Sequence, residues 1–127
     1  MTARLRAWGP VLVWAGIIFA ISSQPTLPVS LGHGRDKIAH FGAYAVFGLL
    51  AGHAIPPRRG FALLAILLGV AYGASDEFHQ HFVPGRSVEL ADWIADSFGV
   101  IAGVAIHRLW WIRRRARRSL RADLVGS

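Results

Sequence analysis

The stretch Phe61-Ala62-Leu63-Leu64-Ala65-Ile66-Leu67-Leu68-Gly69-Val70-Ala71-Tyr72-Gly73-Ala74-Ser75-Asp76-Glu77-Phe78-His79-Gln80 decides the fold class. Its first fifteen residues hold no charge, and its last five hold two acids, a histidine and an amide. A bilayer crossing takes roughly 17–25 predominantly apolar residues. The apolar part alone is short for that, so the polar end is expected to continue as helix into the headgroup region. Three further stretches read the same way: about 8–22, about 38–55 and about 91–111. Breakers separate them: Pro25 and Pro28, then Pro56-Pro57, then Pro84-Gly85. Val83-Pro84-Gly85-Arg86 suits a type II turn, with Pro at its second position and Gly at its third. The expected architecture is an all-α membrane protein of four antiparallel transmembrane helices in a tight bundle. A basic tail over 112–127 follows, and residues 1–127 form one domain.

Composition agrees. Of 127 residues 54% are hydrophobic, 17% are charged and mean hydropathy is +0.41. A soluble domain carries about 25% charge. The absence of cysteine excludes disulfides, thiolate nucleophiles and cysteine metal sites. The net charge of +7 raises nucleic-acid binding, but the basic residues do not form a binding face. They alternate with the apolar stretches, as the positive-inside rule requires. Arg4, Arg6, Arg58, Arg59, Arg108, Arg113, Arg114, Arg115, Arg117, Arg118 and Arg121 lie in the N-terminus, the 56–60 loop and the C-terminal region. Arg35, Lys37 and Arg86 lie in the other two loops. Eleven against three predicts cytoplasmic termini in a multi-pass cytoplasmic-membrane protein, with 23–37 and 76–91 outside. Trp110 and Trp111 beside the arginine run suit an interfacial anchor on anionic lipid. Arg4 and Arg6 ahead of an apolar run ending in Ala20-Ile21-Ser22 also fit a signal peptide, the alternative for the first stretch.

Small residues recur four apart: Gly16 and Ala20, Gly48 and Gly52, Gly69 and Gly73, Gly99 and Gly103. Such pairs let helices approach closely in lipid. At about 100° per residue, Asp92 and Asp96 share a face with Gly99 and Gly103, and Asp76 and Gln80 with Gly69 and Gly73. The packing stripes of the last two helices therefore end in polar groups. On the second helix Gly48 and Gly52 are rotated about 80–120° from His40, which predicts a different neighbour for them.

The candidate ligand-binding residues are Asp36, Lys37, His40, Tyr44, Asp76, Glu77, His79, Gln80, Arg86, Asp92 and Asp96. Asp76, Glu77, His79 and Asp96 are the candidates for acid–base catalysis. Ionisable groups at membrane depth are costly and point to function. Asp36 and His40, four apart, can hydrogen-bond along one helix face. Asp92 and Asp96 at the same spacing repel and need a partner, for which Arg86, Lys37, His40 and His79 are candidates. Arg86 is either the partner of Asp96 or a bidentate grip for phosphate or carboxylate. Asp76, Glu77, His79, Asp92 and Asp96 could hold a divalent cation, but their spacing matches no strong metal signature. No cofactor is therefore expected. Ser75 beside Asp76 and His79 lacks a nucleophile elbow. His33, His53, His81 and His107 show no pattern and are read as loop or interface residues.

Asp36-Lys37-Ile38-Ala39-His40-Phe41 leading into Tyr44, the string Asp76-Glu77-Phe78-His79-Gln80 with Phe82-Val83-Pro84-Gly85-Arg86, and Asp92 with Asp96 together resemble the VanZ-like family of small bacterial membrane proteins. The likeness covers about 36–103. It implies a four-helix membrane protein of the cell envelope; the family's namesake is associated with resistance to the glycopeptide teicoplanin. The expected function is non-enzymatic: binding or modulating an anionic lipid or lipid-linked cell-wall precursor at the outer leaflet. A membrane-embedded hydrolase or transferase is the alternative, and a small proton- or cation-coupled transporter subunit the third. No nucleic-acid partner is expected, and the sequence is silent on oligomeric state.

Overall fold

The computed structural model describes residues 2–25 and 35–125 and is all-α among them, with four helices: α1 Thr2–Ser22, α2 Arg35–Ala54, α3 Phe61–Gln80 and α4 Leu90–Val125. The helices follow the four apolar stretches, but their ends differ: α1 starts at Thr2 rather than near Trp8, and α2 at Arg35 rather than near Ile38. The fourth helix does not stop near Trp111 but runs on through the arginine tail. Ala, Arg and Leu are good helix formers, and no Gly or Pro interrupts 104–125. His33 and Pro28 lie outside the described residues.

The loops follow their breakers. After Pro56-Pro57 the chain turns through Gly60, whose φ of 83° favours glycine, and α3 starts at the next residue. After α3 the Arg86 N–H donates to Val83 O at 3.1 Å and Gly85 takes φ 79°, the type II turn expected there.

α2 and α4 run parallel and form the most extensive interface. Gly48 lies against the Val100 backbone, Gly99 against the Phe41 carbonyl, and Gly103 against the Ala45 carbonyl and the Leu49 N–H. A Cβ at any of these three would collide with backbone, so the two helices touch main chain to main chain. Gly52 meets the His107 ring, and Gly69 on α3 meets the Val100 side chain. Gly48 and Gly52 therefore face the same helix as His40 does, contrary to the wheel. His40, Tyr44, Gly48 and Gly52 form an i+4 row, which drifts about 40° per step. Two helices packed along such rows cross so that the row stays in the interface. Gly16 is the other correction: among the described residues nothing lies within 4 Å of a Cβ there. α1 is held by long side chains. Trp14 Nε1 donates to Ala43 O at 2.8 Å and Tyr72 Oη donates to Ala15 O at 2.7 Å.

Polarity is inverted relative to a water-soluble protein. Asp76, Glu77, Gln80, Asp92 and Asp96 are buried, whereas Leu12, Leu63, Leu67, Phe98 and Ile106 are more than half exposed. Phe61–Gln80 and Leu90–Ser119 are each long and apolar enough to cross a membrane, and α1 adds the shorter apolar stretch Arg6–Ser22.

Candidate functional site

The polar ends of α2, α3 and α4 meet at one end of the bundle, as their place on the packing rows requires. His40 Nδ1 lies 3.0 Å from Asp96 Oδ1, and Asp96 is wholly buried. The other ring nitrogen of His40 is 3.9 Å from Asp92 Oδ2. Lys37 pairs with Asp92, with Glu89 at 2.6 Å and with Asp36 at 3.5 Å. The repulsion between Asp92 and Asp96 is thus relieved by different partners, Lys37 for one and His40 for the other. Glu77 accepts the backbone N–H of Glu89 at 3.2 Å, which ties α3 to the start of α4.

The carboxylates around Lys37 hold its ammonium well above the usual lysine range, the Asp92 hydrogen bond contributing most and Glu89 next. In return the Lys37 hydrogen bond pulls the Glu89 carboxyl below its ordinary value.

Asp76 belongs to a neighbouring network. It accepts from Ser22 Oγ at 2.6 Å and from Gln80 Nε2 at 3.3 Å. His79 turns toward α1, where its Nε2 is 3.0 Å from Ser23 Oγ and its ring is 4.5 Å from that of Phe19. It does not join the His40–Asp96 pair. Ser22, Ser23 and Glu89 are site residues that sequence reasoning did not single out. Depth was the available signal for the serines, which end the first apolar stretch at the level of Asp76. For Glu89 it was the three-residue spacing to Asp92.

Two expected pairings are absent. Asp36 does not bond to His40; its carboxylate takes the Lys37 N–H at 2.9 Å, one residue on. Arg86 does not pair with Asp96. Its Nε donates to Gln24 O and its Nη2 to Ile21 O, both at 3.1 Å. The guanidinium caps the carbonyl end of α1, where orphan acceptors and the helix dipole favour a cation. Ser75 is exposed and bonds back to Tyr72 O at 2.7 Å, away from the acids. His107, expected at a loop or interface, is buried on α4 beside Gly52, with the His53 ring 5.8 Å away.

A groove of about 400 Å³ opens between α1 and α2. Trp14, Ile17, Ile18 and Val46 line its apolar length, and His40, Tyr44, Asp76, Gln80 and Arg86 line its polar end. Chemically, a histidine held by a buried carboxylate can act as a general base. Two sets of side chains bring three ligand atoms within 4.8 Å of one another: His40, Glu77 and Asp96, and Asp36, Glu89 and Asp92.

A model of the VanZ/LLP1 family matches residues 14–111. That span contains every residue of the site just described. No curated protein and no solved structure matches the chain.

Proposed function

The chain belongs to the VanZ/LLP1 family and is a VanZ-like cell-envelope protein, and we propose that it crosses the bacterial cytoplasmic membrane four times and binds an anionic lipid or lipid-linked cell-wall precursor at the outer leaflet. Both termini are then cytoplasmic, on the eleven-to-three asymmetry of Arg and Lys. The polar ends of the helices face outside.

The observation that carries the reading is the groove between α1 and α2. It is apolar along the helices and polar at one end, which is the order of groups in a lipid lying beside the bundle. Its volume is within the ordinary range of ligand sites, about 300–1,000 Å³. Arg86 borders the polar end and uses only part of its N–H fork on α1. The rest can meet a phosphate or carboxylate oxygen. Lys37 adds little to such a ligand, because three carboxylates already surround it.

Gly42 supplies the test. It lines the groove, and a Cβ there meets nothing within 4 Å among the described residues. Gly42→Trp should fill the groove without prying helices apart. Lipid retained by the chain purified in mild detergent, read by native mass spectrometry, should fall at least about 10-fold, a change of about 1.4 kcal/mol. Any protection against a glycopeptide conferred on a sensitive host should fall with it. Retention within twofold of the wild type would overturn the reading. The hydrolase or transferase alternative draws on the His40–Asp96 pair at 3.0 Å. It requires cleaved or transferred lipid products in the same extracts, and intact lipid alone counts against it.

A further inference from the structure

Two groups of three ligating side chains stand side by side at the polar end, and they differ in one respect. Asp36, Glu89 and Asp92 surround the Lys37 ammonium, so that group has its cation. His40, Glu77 and Asp96 have none among the described residues beyond the imidazole itself. Glu77 and Asp96 are each at least nine-tenths buried. One oxygen of each is satisfied, Glu77 Oε2 by the Glu89 N–H and Asp96 Oδ1 by His40. The second oxygen of each, Glu77 Oε1 and Asp96 Oδ2, is buried with no hydrogen-bond partner among the described residues. An unpaired buried polar atom costs about 1–3 kcal/mol, and more when charged. Two of them, on residues of different helices whose ligand atoms lie within 4.8 Å of one another and of the His40 ring nitrogen, call for a shared positive occupant.

We propose that His40, Glu77 and Asp96 form a binding site for one divalent transition-metal ion. The donor set narrows the ion. An imidazole with two carboxylates suits Mn2+ or Zn2+ better than Mg2+ or Ca2+, which take oxygen ligands. Three protein ligands leave coordination positions open for water or for a phosphate or carboxylate oxygen. His40 borders the groove as well as Asp96, so the ion sits where an anionic group in the groove can reach it. The site is built from this chain's own side chains and stands independently of the lipid reading.

The test uses the full chain in detergent, stripped with chelator and then titrated with Mn2+ alone, free Mn2+ being read by electron paramagnetic resonance. One Mn2+ should bind per chain, and Zn2+ should displace it. Glu77→Gln and Asp96→Asn should each weaken binding at least about 10-fold. Ser119→Ala, exposed near the far end of α4, should leave it within twofold. Wild-type protein alone gives a second readout that needs no variant to fold: pulsed measurements on the bound ion should show coupling to imidazole nitrogen. Absence of saturable binding, absence of nitrogen coupling, or binding unchanged in Glu77→Gln would each overturn the proposal.

Discussion

Replacing Gly99 by alanine tests whether the α2–α4 crossing assembles the site. A Cβ at Gly99 would stand against the Phe41 carbonyl oxygen, 3.0 Å from Ala45 N and 3.1 Å from the Phe41 carbonyl carbon. Carbon contacts become favourable near 3.5 Å, so that carbon must recede by about 0.4 Å and its oxygen by more. These are backbone atoms in a helix, and no rotamer change relieves the clash. Overpacking costs about 1–3 kcal/mol, and rigid neighbours put Gly99→Ala toward the upper end. Alanine also gains about 0.5–1 kcal/mol of helix propensity over glycine. Gly16→Ala takes the same gain with nothing within 4 Å of its Cβ, so the difference between the two variants isolates the clash. We expect Gly99→Ala to be less stable than Gly16→Ala by roughly 2–3 kcal/mol in denaturant titrations followed by circular dichroism in one detergent. Phe41 also adjoins His40. A shift of about 0.4 Å would carry the His40–Asp96 contact from 3.0 Å to the margin of hydrogen bonding, so site function should fall as well. Equal stability of the two variants, within about 0.5 kcal/mol, would refute the packing argument.

Arg86→Ala should cost about 1 kcal/mol through loss of the α1 cap. Because Arg86 and Asp96 share no contact, a double-mutant cycle between them should be additive within about 0.5 kcal/mol, and a larger coupling would restore the abandoned ion pair. Glu89 has its folded-state pKa depressed by Lys37, so its contribution is present above its ordinary value of 4.5 and lost as pH falls through the lower folded value. The stability difference between wild type and Glu89→Gln should therefore hold at neutral pH and close as pH drops below that ordinary value, and a difference that grows on acidification would contradict the Lys37–Glu89 pairing.

Helices were legible in the sequence because long, mostly apolar runs are separated by proline-bearing segments; the 61–80 stretch coincides with α3. The far end of α4 was not, because an arginine-rich run reads as a solvated tail whether or not it is helical. That polar ends of α2, α3 and α4 gather at one end of the bundle was legible from charge at apolar-stretch ends, but the pairing there was not. Arg86 is near Asp96 in sequence, yet its loop turns toward α1 and finds backbone carbonyls. Main-chain acceptors carry no letter in a sequence, so a side chain that pairs with them invites a wrong assignment to the nearest acid. The angular offset of Gly48 from His40 misled for a related reason. A wheel treats helices as straight parallel cylinders, whereas rows that cross at an angle keep residues in contact over several turns.

The same rows explain why the polar groups cannot avoid one another. On α2 the row His40, Tyr44, Gly48, Gly52 ends in an imidazole; on α4 Gly103 and Gly99 lead to Asp96 and Asp92; on α3 Gly69 and Gly73 lead to Asp76, Glu77 and Gln80. Glycines draw the backbones together, and the polar residues at the end of each row are drawn in with them, out of reach of solvent. Most find partners within the chain: Lys37 for Asp92, His40 for Asp96, Ser22 and Gln80 for Asp76. Stability alone would not maintain such an arrangement, since well-packed apolar side chains commonly equal or exceed a buried ionic network. The argument is strongest where satisfaction is incomplete. Tyr44 Oη, Glu77 Oε1 and Asp96 Oδ2 at the polar end of the bundle, and His107 Nδ1 farther along α4, are buried without hydrogen-bond partners among the described residues. What the packing leaves open at the polar end, one group on each of α2, α3 and α4, is what the proposed lipid or ion would satisfy.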